Sequence, residues 1–256
     1  MHFTWTAALV AASLLAGVLL FLELGRRIGL RRLKQEGDGA GAGVGVVEGA
    51  VFALLGLLVA FTFSGAAARF EHRRNLVVDE ANAVGTAYLR IGLLPTAAQG
   101  EMRDRFRRYL DARLAVYRAM PDVEAAKQHL ASSNRMQQEI WARGVAESAD
   151  SQSARMLLLP ALNEMIDITT KRTMAAQAHP PLVVFGLLFV FALCAALLAG
   201  SAMARPQSRH WLHSMTFAFA LAGSVYVIVD MEFPRVGLIR IDAFDEVLVE
   251  LRRSME

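Results

Sequence analysis

The sequence predicts an all-α membrane protein with four transmembrane helices and a helical bundle inserted between the second and third. Three observations carry this. Apolar residues are clumped: blocks 3–24, 46–68, 182–204 and 211–229 each supply roughly 20 mostly apolar residues, enough to cross a ~30 Å hydrocarbon core at 1.5 Å per residue. Between the second and third blocks, apolar residues recur at helical spacing among many charges. No run alternates with period two for long enough to suggest a sheet. The division expected is residues 1–68 for the first two membrane helices and a basic, Gly-rich connector, 69–181 for a soluble helical domain, 182–230 for the last two membrane helices, and 231–256 for an amphipathic tail.

The first block reads as a retained anchor. A cleaved leader carries positive charge ahead of its apolar core, whereas here "MHFTWT" has no Lys or Arg and Arg26, Arg27, Arg31 and Arg32 follow the apolar run. The alternating Gly37, Gly39, Gly41, Gly43 and Gly45 satisfy no G-x-G-x-x-G frame and follow no strand, so they read as a flexible connector.

The second block has two unlike faces. Gly49, Ala53, Gly56, Ala60, Ser64 and Ala67 form a stripe of small residues, with Val51, Leu55, Leu58 and Thr62 roughly opposite. Small residues let backbones approach inside lipid, so the stripe is expected to face protein and the bulky side lipid. Past Arg69 the helix continues in a polar setting, with Leu76, Val77, Ala81, Val84, Tyr88 and Ile91 as its apolar seam.

Three more helices follow. Thr96 with Gln99 suggests a capping box for a helix with seam Met102, Phe106, Tyr109, Leu110, Leu114 and Tyr117, stopped by Pro121. Asp122 is the expected cap of the next, with Val123, Ala126, Leu130, Ile140 and Trp141 on or near its buried side, and Ser151 that of a third carrying Leu158, Leu162, Met165 and Thr169. Arg103, Arg105, Arg107, Arg108 and Arg113 read as a solvated face, with Glu101–Arg105 and Asp104–Arg108 as i,i+4 pairs. Pro180-Pro181 marks the start of the third membrane helix. After the fourth, Asp230 and Glu232 precede a turn at Pro234 and Gly237 and an apolar-faced tail with Phe244, Val247, Leu248 and Leu251.

Composition excludes several functions. Cys194 is the only cysteine, so no disulfide within the chain or cysteine-based metal site exists. A net charge of +3 spread among carboxylates and membrane ends gives no nucleic-acid footprint. The histidines include no H-E-x-x-H; His210 and His213 share a helix face beside Trp211, where amphipathic side chains anchor a membrane helix. Asp230 and Glu232 supply two carboxylates where a divalent cation needs about six oxygen ligands. With no P-loop, nucleophile elbow or paired-carboxylate motif, the reading is no enzyme, no cofactor and no metal.

Topology is balanced. Arg26, Arg27, Arg31, Arg32, Lys34, Arg205 and Arg209 argue for one facing, and Arg69, Arg73, Arg74, Lys171, Arg172, Arg235 and Arg240 for the other. The extra weight of short loops tips the rule toward an external helical domain.

Two stretches carry a family resemblance. "GLLVAFTFSGAAARFEHRRNLVVDEAN" resembles the second membrane helix of the bestrophins, an apolar pore-lining run that ends at an arginine and continues as a long helix. "DMEFPRVGLIRID" is similar to the acidic, Pro- and Gly-containing turn after their last membrane helix. With "EANAVGTAYLR" and the four-helix layout, the chain resembles the bacterial family of bestrophin-like membrane proteins. The resemblance implies a multi-pass protein of the bacterial inner membrane, a pentameric homo-oligomer conducting inorganic anions, and a cytoplasmic helical domain. Matching Arg69 to the family's arginine puts the neck at Ala53, Leu57 and Phe61, with Gly49, Gly56, Ala60 and Ser64 available for helix packing. Phe70-Glu71 stands where bestrophins have a tryptophan pair. The alternative from another class is a membrane-anchored sensor or scaffold that binds a protein partner without conducting ions.

Overall fold

The computed structural model describes residues 2–36, 44–204 and 211–256; the glycine run 37–43, together with Arg205, Arg209 and His210, lies outside them. Among the described residues there are eight α-helices and no strand: α1 (His2–Glu36), α2 (Val44–Arg90), α3 (Thr96–Arg118), α4 (Val123–Glu147), α5 (Gln152–Gln177), α6 (Leu182–Ala202), α7 (Trp211–Glu232) and α8 (Glu246–Ser254). Four of them, α1, α2, α6 and α7, contain the stretches long and apolar enough to span a bilayer. The protein is an all-α membrane protein with a helical bundle between its second and third transmembrane helices. The chain divides into two compact units, 1–68 with 179–233 and 69–178 with 234–256, so the tail from Pro234 onward belongs with the soluble helices. The helix α2 runs without a break through Gly65 and Arg69.

The first unit is built on close contact between α1 and α6. Leu14, Val18 and Leu22 descend one side of α1 onto Leu188, Ala192, Ala195 and Ala196 of α6 and Ala218, Leu221 and Val225 of α7. Below them the side chains shrink to nothing. A Cβ at Gly25 would lie 1.9 Å from the Leu197 carbonyl oxygen, and one at Gly200 would lie 2.0 Å from that of Leu22. Gly29 repeats the approach against Ser201 and Ala204. This is a small-xxx-small crossing, in which helices associate in lipid by backbone proximity.

The second unit has a conventional apolar core. The seams of α2 and α3 lie where their periodicity puts them, with Val77, Val84, Ile91, Met102, Phe106, Tyr109 and Leu110 buried alongside Leu158, Leu162 and Met165 of α5. Asp122 caps α4 by accepting from the Glu124 and Ala125 amides, and Ser151 caps α5 by accepting from Ala154. Val123, expected on the buried side, is exposed. The capping box at Thr96 is absent: Pro95 is the N-cap, and Gln99 instead reaches back to donate to the Leu94 carbonyl at 2.8 Å. That choice satisfies a carbonyl left over by the short 3-10 turn ahead of the helix. The tail docks through buried Leu248 and Met255, and Arg252 pairs with Asp111 at 2.9 Å.

Arg73 closes the far end of α5. Its Nε donates to the Ala175 carbonyl at 2.9 Å and its Nη2 to that of Ala178 at 2.7 Å. These are terminal carbonyls with no intrahelical partner, at the end of the dipole that favours a cation. Arg73→Ala is expected to destabilise the soluble unit by about 2 kcal/mol or more, with Arg73→Lys recovering only part, as read by thermal unfolding.

Candidate functional site

In the membrane half of α2, the residues with neck spacing share an uncovered side. Ala53, Leu57 and Phe61 are exposed, Phe61 at 67%, as are Gly49, Gly56, Ala60 and Ser64. Leu55 and Ala66 are buried on the other side, while Val51, Phe52, Leu58 and Val59 pack against the core of the first unit. Phe52 meets Phe217 of α7 edge-on at 6.3 Å. The expectation that the bulky side turns toward lipid is therefore overturned for Val51, Leu55 and Leu58, while Thr62 is half-buried and donates to the Leu58 carbonyl of its own helix at 2.8 Å. Among the described residues the glycines of the small stripe make no close approach: a Cβ at Gly49 or Gly56 would meet nothing within 4 Å.

The acidic turn is a buried feature rather than a solvated helix end. Asp230 and Glu232 occupy the last turn of α7 at 0% and 1% exposure. Tyr226, one turn earlier, interacts with Asp230, and His179 Nδ1 lies 3.5 Å from Glu232 Oε2 while its ring stacks on Phe233 at 4.4 Å. Buried carboxylates need such partners. Beyond them Pro234 and Gly237 are buried in the second unit, where the Pro234 carbonyl accepts from the Ile241 amide at 3.1 Å and closes the turn. Arg69 is half-buried at the head of the same unit. No group of three or more His, Cys, Asp or Glu placed to hold a metal occurs among the described residues.

The residues that sequence reasoning missed form a buried charge network in the second unit. Arg113, assigned to a solvated face, is 1% exposed and donates through Nε to Glu80 Oε1 at 2.6 Å. Arg172 also binds Glu80, as does the Tyr117 hydroxyl at 2.9 Å. Arg235 joins through Asp245, its Nη2 lying 2.9 Å from Asp245 Oδ1. Three guanidiniums thus surround one ring: Arg113, Arg172 and Arg235 sit 5.1, 4.0 and 4.7 Å from the Tyr117 centroid. Burial alone would push the Glu80 carboxyl up, but Arg113 and Arg172 outweigh it and hold it down at about 2. Burial pushes the Tyr117 hydroxyl up, with Glu80 adding to the effect, so it stays a donor.

A signal for this network was present. Glu80, Arg113 and Arg172 each fall in the apolar phase of their own helix, beside Val77 and Val84, Tyr109 and Leu110, and Met165 and Thr169. Charge at a core position implies a buried partner. The rest of the arginine face is solvated much as expected: Arg105 pairs with Glu101 at 2.7 Å, although Asp104 takes Arg107 in place of Arg108.

Comparison with known proteins agrees with this architecture. The Bestrophin-like domain model matches residues 11–243, and the chain belongs to that family. Solved structures with the same fold include a point variant of a bacterial bestrophin homolog from Klebsiella pneumoniae, at 15% identity and TM-score 0.67, covering 94% of this chain and 98% of that one. The homolog from the same organism phased with zinc is similar at 16% identity and TM-score 0.63, covering 93% and 97%. A further variant, described as a membrane protein, matches at 16% identity and TM-score 0.68, covering 93% and 97%. No curated protein matches the sequence.

Proposed function

We propose that this chain is the protomer of an oligomeric ion channel of the bacterial inner membrane, with α2 helices arranged around a central axis and Ala53, Leu57 and Phe61 forming the narrow neck. The observation that carries this reading is the uncovered side of α2: Val51, Phe52, Leu55, Leu58 and Val59 are spent on the chain's own bundle, while the edge with four-residue spacing that ends in Leu57 and Phe61 is exposed among the described residues. Symmetric closure is the usual way such a face is covered, and a pentamer is the ring the family resemblance implies. Gly49, Gly56, Ala60 and Ser64 border the edge and would admit a neighbouring helix closely. Apolar constrictions gate ions by dewetting and sort them by the work of dehydration, so function would involve no covalent step and no cofactor. Inorganic anions are the permeant species that membership of the family favours, and lipid surrounds the outer helices.

Phe61→Ala tests this in reconstituted bilayers. Widening the apolar ring is expected to raise conductance, because a wider constriction dewets less readily. A wild-type oligomer that carries no current, with second helices packed on the axis and no opening, would instead support a non-conducting scaffold.

A further inference from the structure

A cleft opens between α4 and α5, within the second unit. Near their connecting turn these helices touch closely, with a Cβ at Gly144 only 2.6 Å from Leu162 Cδ1. Farther from the turn lies a cleft of about 550 Å³. That lies within the roughly 300–1,000 Å³ of small-molecule sites. None of its lining side chains is charged, although charges are frequent throughout the surrounding helices.

The floor is a buried polar triad. Gln137, 5% exposed, donates through Nε2 to the Tyr109 hydroxyl at 2.9 Å and to Thr169 Oγ1 at 2.8 Å, and the two hydroxyls lie 3.3 Å apart. Both amide hydrogens are thereby used, and the amide carbonyl, which accepts no hydrogen bond among the described residues and is not one of the buried atoms left without a partner, stays open to the solvent of the cleft. Asn134 on one wall and Asn163 and Thr170 on the other add donors and acceptors, and Trp141 supplies an apolar ring face.

We infer that the α4–α5 cleft binds a small uncharged polyhydroxylated molecule, of the sugar or polyol class, through the Gln137 carbonyl, the Asn134 and Asn163 amides and the face of Trp141. A ligand hydroxyl can donate to the Gln137 carbonyl in place of water. Paired donor and acceptor atoms on Asn134 and Asn163 suit neighbouring hydroxyls, and the carbon-rich face of a sugar ring suits the indole. An ionic ligand would give up its hydration without finding an opposite charge. The inference is independent of the channel reading.

The test uses the full chain in a detergent without a sugar headgroup, with Trp5→Phe and Trp211→Phe so that Trp141 is the only fluorophore. Titration with maltose or trehalose is expected to give a saturable change in Trp141 emission, and glucuronate none. Asn134→Ala with Asn163→Ala, both on the exposed walls, is expected to weaken the response by about tenfold, the equivalent of ~1.4 kcal/mol, at unchanged helicity and melting temperature. Absence of a saturable response up to about 100 mM, well past the millimolar range of weak specific sites, overturns the inference. So does equal affinity in the double variant, or a response to glucuronate as strong as to the neutral sugars.

Discussion

Replacing Gly25 or Gly200 with valine is expected to abolish the folded first unit. At each position the atoms in the way are backbone, the Leu197 carbonyl at 1.9 Å and the Leu22 carbonyl at 2.0 Å, so no side-chain rotation relieves the clash. The helices α1 and α6 would have to part along their length, separating Leu14, Val18 and Leu22 from Leu188, Ala192 and Ala196. Overpacking a single core site costs about 1–3 kcal/mol, and a rigid backbone collision at a helix crossing exceeds that range. No bulk hydrophobic drive holds helices together in lipid to offset the loss. The measurement is the fraction of protein that elutes as a monodisperse species in mild detergent, expected to fall to background. Gly56→Val is the control. Its Cβ meets nothing within 4 Å, so the protomer should fold normally while assembly through the small-residue edge is impaired.

Glu80→Ala should be nearly as damaging in the second unit. Removing the carboxylate leaves Arg113, at 1% exposure, without its counter-charge, and leaves Arg172, at 8%, only Asp245 at 3.8 Å, which Arg235 also holds. Breaking a buried pair by deleting one partner costs roughly 3–5 kcal/mol, a large share of the ~5–15 kcal/mol that holds a domain together. Glu80→Gln keeps an acceptor but not the charge, and should fall between the two. The pH dependence follows from the same contacts. The folded carboxyl is held at about 2, below its ordinary value near 4.5, so its contribution is present above about pH 4.5 and lost as pH falls toward 2. Wild-type protein should therefore lose stability across that interval, and Glu80→Gln should lose less over the same range. Equal acid sensitivity in the two proteins would show that Glu80 is not the group responsible.

Much of the architecture was legible in the sequence because lipid and helix periodicity act locally. Four apolar blocks of bilayer length, the seams of α2, α3 and α5, and the caps Asp122 and Ser151 all report on neighbours one turn away. What escaped depends on partners far along the chain. Gly25-xxx-Gly29 is a readable small-xxx-small motif, but its meaning comes from Gly200 and Ala204, more than 170 residues later by their numbering in the sequence. The small stripe of α2 looked like the tighter packing surface, yet the protomer leaves it open and uses the bulky side instead. Arg113 was grouped with its arginine neighbours by adjacency, when its phase, seven residues after Phe106, placed it inside. Three of the cations weighed for topology, Arg73, Arg172 and Arg235, are committed to a helix end, to the buried Glu80 and to the partly buried Asp245. Their positions answer to the core of the second unit, not to the membrane potential.

The candidate neck was named from the resemblance, by matching Arg69, and its residues lie together on one exposed edge. Ion flux through liposomes carrying Phe61→Cys in a Cys194→Ala background addresses the central claim most directly, since Cys194 is the only native cysteine. Attachment of a bulky thiol reagent at position 61 is expected to stop the flux, and reduction of the adduct to restore it. Flux that continues unchanged after complete modification would place the conduction path away from α2 and contradict the account.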